Sequence, residues 1–284
     1  MDTMHTGQVD PLRPSAEAAA EAWTTRVRAG REQIERLREA AEPDDFYGPW
    51  AKRFDRDPRR TDDAALDVLR SMARADDTWL DIGAGGGRYA LPLALSVKRV
   101  LAVDPSPSLL AVLRAGMDRH GLENIEIIEG TWPVDPLPQA DVALMAHVGY
   151  DIEGFAAFLD AAEAAARRCV VIMRASGADR AGHALWPEVH GEERLDYPML
   201  PELLMLLLAR GAVPEVTLVD RGSWGFDSRE QLIDAATRLL WVRPDGDKGR
   251  LVERLVREHA TEHEGQWEYD WSSVPDGVVT WTTG

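Results

Sequence analysis

Thr78-Trp79-Leu80-Asp81-Ile82-Gly83-Ala84-Gly85-Gly86-Gly87-Arg88-Tyr89-Ala90 decides how the rest of the chain is read. It opens as a short apolar strand, passes through a glycine turn, and is expected to enter a helix over 87–96. Glycines tolerate positive φ and let a ligand approach the backbone closely. The N–H groups at the start of a following helix would point at whatever sits over the turn. A strand–glycine turn–helix unit is thus a ligand-binding turn at the carboxyl end of a parallel strand, where open α/β sheets bind their ligands.

The glycines fit the dinucleotide pattern G-x-G-x-x-G/A only loosely, through Gly85, Gly87 and Ala90. Asp81 opposes that ligand, because a carboxylate beside the turn would repel a pyrophosphate. It suits a ligand that brings an ammonium group there. A second acid ends the next apolar run, Val100-Leu101-Ala102-Val103-Asp104, about 20 residues further on, where an acid can accept from both ribose hydroxyls. The pattern Asp81-x-Gly83-x-Gly85-x-Gly87 followed by Asp104 resembles motif I and the next strand end of class I S-adenosylmethionine-dependent methyltransferases. The resemblance covers roughly residues 44–175; beyond them only the order of elements matches.

The resemblance implies S-adenosyl-L-methionine as cofactor and S-adenosyl-L-homocysteine as product. Gly83, Ala84, Gly85 and Gly87 would carry the methionine part on backbone groups. Asp81 would hold the ammonium, Asp104 the ribose diol, and Pro105 and Ser106 would flank the adenine. After the third strand the family often has Gly-Asp; here Gly130-Thr131-Trp132 stands instead, so Thr131 would accept from the adenine amino group and Trp132 cover its face. After the fourth strand, Ala146-His147-Val148-Gly149-Tyr150 occupies the position that faces the transferring methyl. It is not the Asn/Asp-Pro-Pro-Tyr/Phe motif of enzymes that methylate exocyclic amines in DNA or glutamine amides in proteins. His147 is the candidate general base, its ordinary pKa lying near working pH; a histidine that merely lines the pocket is the alternative.

Alternating strands and helices predict a doubly wound, seven-stranded, mostly parallel sheet of the Rossmann-like methyltransferase type. Strands are expected at 78–82, 99–103, 125–128, 142–145, 169–173 and 215–219, with helices at 106–119, 152–167 and about 198–210. The last run, Val278 to Trp281, would be the antiparallel seventh strand, pairing as a hairpin with 267–272. Helical segments at 228–242 and 247–263 would form an insertion before it. The domain proper would span 76–284, behind a disordered tail 1–14 and an N-terminal helical extension 15–75. In that extension Ser15 is the N-cap of a helix with Ile34 and Leu37 on one face, and Thr61 caps a second helix to Ala75. The first helix reads as a solvated edge helix or as a lid or dimerisation arm.

Two stretches are long enough to wall an acceptor pocket: the aromatic segment Phe46–Phe54 and the polar stretch Arg174–Asp196, expected to be an irregular loop. Tyr47, Trp50, Tyr150 and Trp186 are the candidate pocket residues, with packing in the core as the alternative for the aromatics. His183, His190 and Glu192 match no helical zinc spacing, so no metal is expected.

The formal charge of −17 argues against nucleic acid and anionic membrane as substrates. Cys169 is the sole cysteine, which leaves no intrachain disulfide. The polar N-terminus lacks the apolar core of a secretion signal, and no apolar run approaches the ~20 residues of a membrane span, so a cytoplasmic protein is expected. The function expected is methyl transfer to a small-molecule acceptor. A methyltransferase of RNA or protein, a catalytically silent cofactor-binding protein and, more distantly, a nicotinamide oxidoreductase are the alternatives. Oligomeric state is not legible.

Overall fold

In the computed structural model the described residues are 13–41, 45–46, 48–177, 181–221, 225–269 and 274–283. The elements run in the order α1 (Ala16–Leu37), a 3-10 helix (Gly48–Phe54), α2 (Ala64–Met72), β1 (Thr78–Ile82), α3 (Ala90–Ala94), β2 (Arg99–Asp104), α4 (Pro107–His120), β3 (Ile125–Glu129), β4 (Ala140–Ala146), α5 (Phe155–Ala165), β5 (Ala166–Arg174), α6 (Ala181–Ala184), α7 (Trp186–His190), α8 (Leu200–Ala209), β6 (Glu215–Val219), α9 (Arg229–Leu239), α10 (Asp247–His259), β7 (Thr261–His263), β8 (Gln266–Glu268) and β9 (Asp276–Thr282).

The main sheet has seven strands in the order β3-β2-β1-β4-β5-β9-β6, parallel through β5 and antiparallel where β9 meets both its neighbours. Central strands buried on both faces read as continuous apolar runs, and Val142 to Met145 and Cys169 to Met173 are fully buried. Two apolar layers cover the sheet. One contains Trp23, Phe155, Phe158 and Leu203; the other contains Leu66, Leu91, Leu110 and Leu113. The order reverses between β1 and β4, so the carboxyl ends of β1, β2 and β4 open together, where such sheets bind ligands.

Several local expectations are corrected. The helix after the glycine turn is only Ala90–Ala94 and not 87–96, since Gly87 stands at a φ of +86°, outside the right-handed helical region. Asp63, not Thr61, caps α2: its Oδ1 accepts from Leu66 N at 3.1 Å, while Oδ2 takes Arg60 and Arg88. Residues 261–263 leave the helix and pair with 266–268 across Glu264-Gly265, both at positive φ as a tight hairpin turn requires. Among the described residues the last strand does not pair with 267–269: Asp276–Thr282 enters the main sheet between β5 and β6. The tail 1–12, Tyr47 and 270–273 lie outside the described residues.

Helix α1 is an internal strap. Ser15 caps it as expected. Trp23 stacks on Phe155 with centroids 4.4 Å apart and donates to Ile152 O. Gln33 bridges Glu193 O and the amide of Leu195, and Arg26 reaches Asp196 O. The helix thereby ties the turn after β4 to the segment before α8. Its outer turns also meet a third core, where Ile34 and Leu37 pack.

That third core corrects the reading of Arg174–Asp196. The stretch is not an irregular loop: it forms α6 and α7, which pack on the insertion helices α9 and α10 through Leu185, Trp186, Val189, Leu232, Leu240 and Val256. The helical cover thus draws on two separate pieces of chain. No helix among the described residues is long and apolar enough to cross a membrane.

Candidate active site

The glycine turn is shaped from within. Gly83 and Gly87 take φ of +76° and +86°, open to glycine at little cost. A Cβ on Gly83 would collide with Val148 Cγ2, and one on Gly87 would meet Leu113 Cδ1 at 2.6 Å. The amides of Gly83 and Ala84 both donate to Val103 O, that of Gly87 to Ala84 O, and that of Gly85 to Asp104 Oδ2 at 2.8 Å. These four amides are therefore spent inside the protein. A ligand over the turn meets acceptors: peptide carbonyls and the carboxylates of Asp81 and Asp104.

Asp81, at 2% exposure, is one of the most buried charges in the chain. Its Oδ2 has no hydrogen-bond partner among the described residues. Burial first, then the negative charge of Asp104, pushes its pKa up to about 7 against a backbone hydrogen bond from Ala90. Asp104 accepts from both Gly85 N and Ser106 N, yet burial still holds its pKa above the usual carboxylate range. Two buried carboxyls facing one turn repel a pyrophosphate and attract a cation. An ammonium beside Asp81 would satisfy its orphaned oxygen and restore its charge. The acceptor set fits the ammonium group of S-adenosylmethionine.

A family model described as a methyltransferase domain matches residues 80–173, the span from β1 to β5. The chain is 32% identical over 81 residues to the "Probable cobalt-precorrin-6B C(15)-methyltransferase (decarboxylating)" of Methanothermobacter thermautotrophicus, a match covering 28% of this chain and 42% of that protein. It is 29% identical to the release factor glutamine methyltransferase of Gloeobacter violaceus over 78% of this chain and 64% of that protein. Each match thus spans less than two thirds of the relative's length. The crystal structure of YcgJ from Bacillus subtilis superposes with a TM-score of 0.52 at 16% identity, covering 76% of this chain and 96% of that one, a likeness of fold. Residues 80–173 form a methyltransferase domain, on the fold of the class I S-adenosylmethionine-dependent methyltransferases. The cofactor of that class is S-adenosylmethionine.

The aromatic segment before α2 borders the glycine turn. Ser106, the N-cap of α4, sets its hydroxyl 3.3 Å from both carboxylate oxygens of Asp45. A Cβ on Gly86 would meet Phe54 Cβ at 2.6 Å. Trp50 is half-buried, edge-on to Phe46, which in turn lies 5.7 Å from Trp241 of the cover. Arg53 donates to Gly225 O and stacks over Phe226 at 3.8 Å. The segment and the cover are therefore one continuous wall.

One residue expected at the adenine and one expected in the acceptor pocket are elsewhere. Trp132 is 7% exposed, edge-on to Phe158 and donating to Phe158 O, so it belongs to the core and not to the adenine face. Trp186 is 1% exposed in the third core, beside His190 at 4.2 Å, and is no lid over the methyl group. Pro105 and Thr131 are exposed at the ends of β2 and β3, beside the turn. His183, His190 and Glu192 have separate partners: Asp196, Leu240 O and Arg36.

His147 follows the last residue of β4 and takes a left-handed φ of +58°, uncommon for a non-glycine residue. Its amide donates to Ile172 O at 2.8 Å, which fixes the backbone. Nδ1 lies 3.2 Å from Tyr150 Oη and Nε2 lies 3.5 Å from Asp276 Oδ2. Tyr150 Oη accepts from Arg174 N at 3.1 Å. Sequence reasoning missed Asp276, which is 1% exposed at the start of β9. Only its register opposite Arg174 and Val219 brings it to the carboxyl end of the parallel strands.

Asp104→Ala removes the acceptor assigned to the ribose. It should weaken S-adenosylmethionine binding by about 1.5–3 kcal/mol, the range for hydrogen bonds to charged groups. Calorimetry that finds the affinity unchanged would sink the assignment.

Proposed function

We propose that the protein transfers the methyl group of S-adenosylmethionine to a small-molecule acceptor, in the cytoplasm and without nucleic acid or membrane as partner. When bound, the cofactor supplies an activated methyl group on a sulfonium and departs as neutral S-adenosylhomocysteine. Asp81 and the turn carbonyls would hold its ammonium, and Asp104 its ribose. The chain's own contribution is then to align an acceptor and keep water out, because a sulfonium is already activated.

The observation that carries the reading is the wall built beside the cofactor turn by the chain's own elements, joined through Arg53, Phe226, Phe46 and Trp241. A folded RNA or a protein loop would need an open face there. The formal charge of −17 also works against polyanions. The release factor relative is named for a glutamine acceptor, but Ala146-His147-Val148-Gly149-Tyr150 differs from the motif associated with that chemistry. The cobalt-precorrin relative, by its name, acts on a small molecule.

A methyl-release assay over a panel of small metabolites, run beside bulk tRNA, ribosomal RNA and peptide release factors, tests this. Methyl label is expected in the small-molecule fraction, insensitive to salt. Label in RNA with a steep loss between low and physiological salt, or label in protein, would overturn it.

A further inference from the structure

We propose that the edge strand β6 and the outer flank of α8 form a two-fold interface whose occupant is a second copy of this chain. The two sheets join there, β6 against β6, into one continuous sheet. The interface is independent of the methyl acceptor.

Apolar surface is concentrated in this one place. Five of the seven large apolar side chains exposed among the described residues are Met205, Leu208, Val213, Val216 and Leu218. Residues 203–209 of α8 are apolar on every side of the helix. A helix of that composition is ordinarily buried all round. Here Leu203, Leu206 and Leu207 are buried against the sheet, while Met205 and Leu208, three residues apart, meet solvent together. Strand β6 follows, and its first four residues are exposed. One edge of it pairs with β9; among the described residues no strand pairs with the other.

Helix and strand present a single surface. Val216 lies opposite Val279 of β9, which belongs to the apolar layer that contains Leu203. Leu218 lies opposite Gly277, where a Cβ would meet Leu200 of α8 at 2.6 Å. Val216 and Leu218 therefore point to the side of the sheet that carries α8. On α8 itself, Glu202 is taken by Arg26 of α1 on one flank, and the helical period puts Leu204 and Leu208 on the other. Residues opposite each other in an antiparallel pair share a face. A two-fold axis through Thr217, perpendicular to the sheet, thus sets Val216 against the partner's Leu218 and keeps both α8 helices on the same side of the joined sheet, flanking the seam.

Charge and closure select a second copy over another partner. Within residues 203–219 the only charges are Arg210 and Glu215, and Arg210 is turned back onto Asp160 and Glu163. The axis through Thr217 places each Glu215 across from the partner's Val219, so the two carboxylates stand at opposite ends of the pairing. Two chains of formal charge −17 can therefore meet here without bringing acids together. A peptide added as a strand would cover β6 and leave Leu208 bare; a second copy brings a strand and a helix at once. Self-pairing also uses up both β6 edges in one contact, which closes the assembly at two. The opposite edge of the sheet, β3, carries Glu126 and Glu129, paired with Arg99 and Arg114, the kind of charge that keeps an edge strand from pairing.

Sedimentation velocity of the full chain over a range of about 1 to 100 μM tests this, since self-association follows mass action. The wild type is expected to be a dimer at the upper end and to dissociate on dilution, with amide exchange in residues 205–208 and 216–219 slowing as it associates. Leu218→Lys and Leu208→Asp each put a charge into the apolar seam and should weaken the dimer about tenfold or more. Both side chains are exposed in the single chain, so melting temperature at low concentration and affinity for S-adenosylmethionine should stay as in the wild type. A wild type that is monomeric at about 100 μM would overturn the proposal and leave this face to a different partner. A dimer that both variants leave intact, protection that appears elsewhere in the chain, or growth past the dimer would overturn it as well.

Discussion

Asp81→Asn is expected to make the free protein more stable and its cofactor complex weaker. The carboxyl is buried, its Oδ2 lacks a partner among the described residues, and its pKa sits at about 7. Its unfolded value is near 3.9. A carboxyl raised on folding contributes stability that is full below the unfolded value and is lost as pH rises through the folded one. Above neutrality the free protein therefore carries the whole cost of ionising a buried acid, on the order of 2–4 kcal/mol. The amide cannot ionise, so thermal unfolding at about pH 8 should show a stabilised variant, with the gain shrinking as pH falls toward 4. An ammonium ligand reverses the balance because it needs the carboxylate. Wild-type affinity for S-adenosylmethionine should fall by up to about tenfold per pH unit below 7 as Asp81 takes up a proton, and the variant should bind about ten- to a hundredfold more weakly at pH 8. A variant that is no more stable and binds the cofactor normally would remove Asp81 from the site. One that gained affinity for NADH would return the dinucleotide reading.

The same residue shows what the sequence could tell. Asp81 and Asp104 were legible because Asp81 interrupts the apolar strand just ahead of the glycine turn, Asp104 ends the next apolar run, and one strand–turn–helix–strand unit sets their spacing. The sheet was legible for a related reason: strands buried on both faces, such as Cys169 to Met173, have no polar face to confuse the pattern. What failed needed three dimensions. Thr61 and Asp63 are both good caps, and only the two arginines converging on Asp63 distinguish them. Gly83, Ala84 and Gly85 were expected to meet a ligand through backbone groups, and which groups these are needed the structure: their amides go to Val103 O and Asp104, so the turn offers carbonyls, which suit a cation. Asp276 carries no local signal at all: in Val274-Pro275-Asp276-Gly277 it reads as a turn acid. Its role appears only when β9 inserts between β5 and β6.

Trp186→Ala should cost about 3–5 kcal/mol of stability, the range for deleting a large buried aromatic. The sequence left Trp186 open between a pocket lid and a core residue. The structure places it at 1% exposure among Leu185, Leu232, Leu240 and Val256, with Arg194 over its face at 4.8 Å and His190 at 4.2 Å. A cavity there empties the centre of the cover, which is held by its own apolar cluster and not by the two layers on the sheet. The loss should therefore appear first as a separate, earlier transition in thermal unfolding, and as faster amide exchange in α9 and α10 than in β1, β4 and β5. Affinity for S-adenosylmethionine should hold below that transition, because Asp81, Asp104 and the glycine turn belong to the sheet. Turnover should fall with the population of intact cover. A variant with unchanged melting and exchange but reduced turnover would mean that Trp186 touches the acceptor, and that the cover is held by something other than this core.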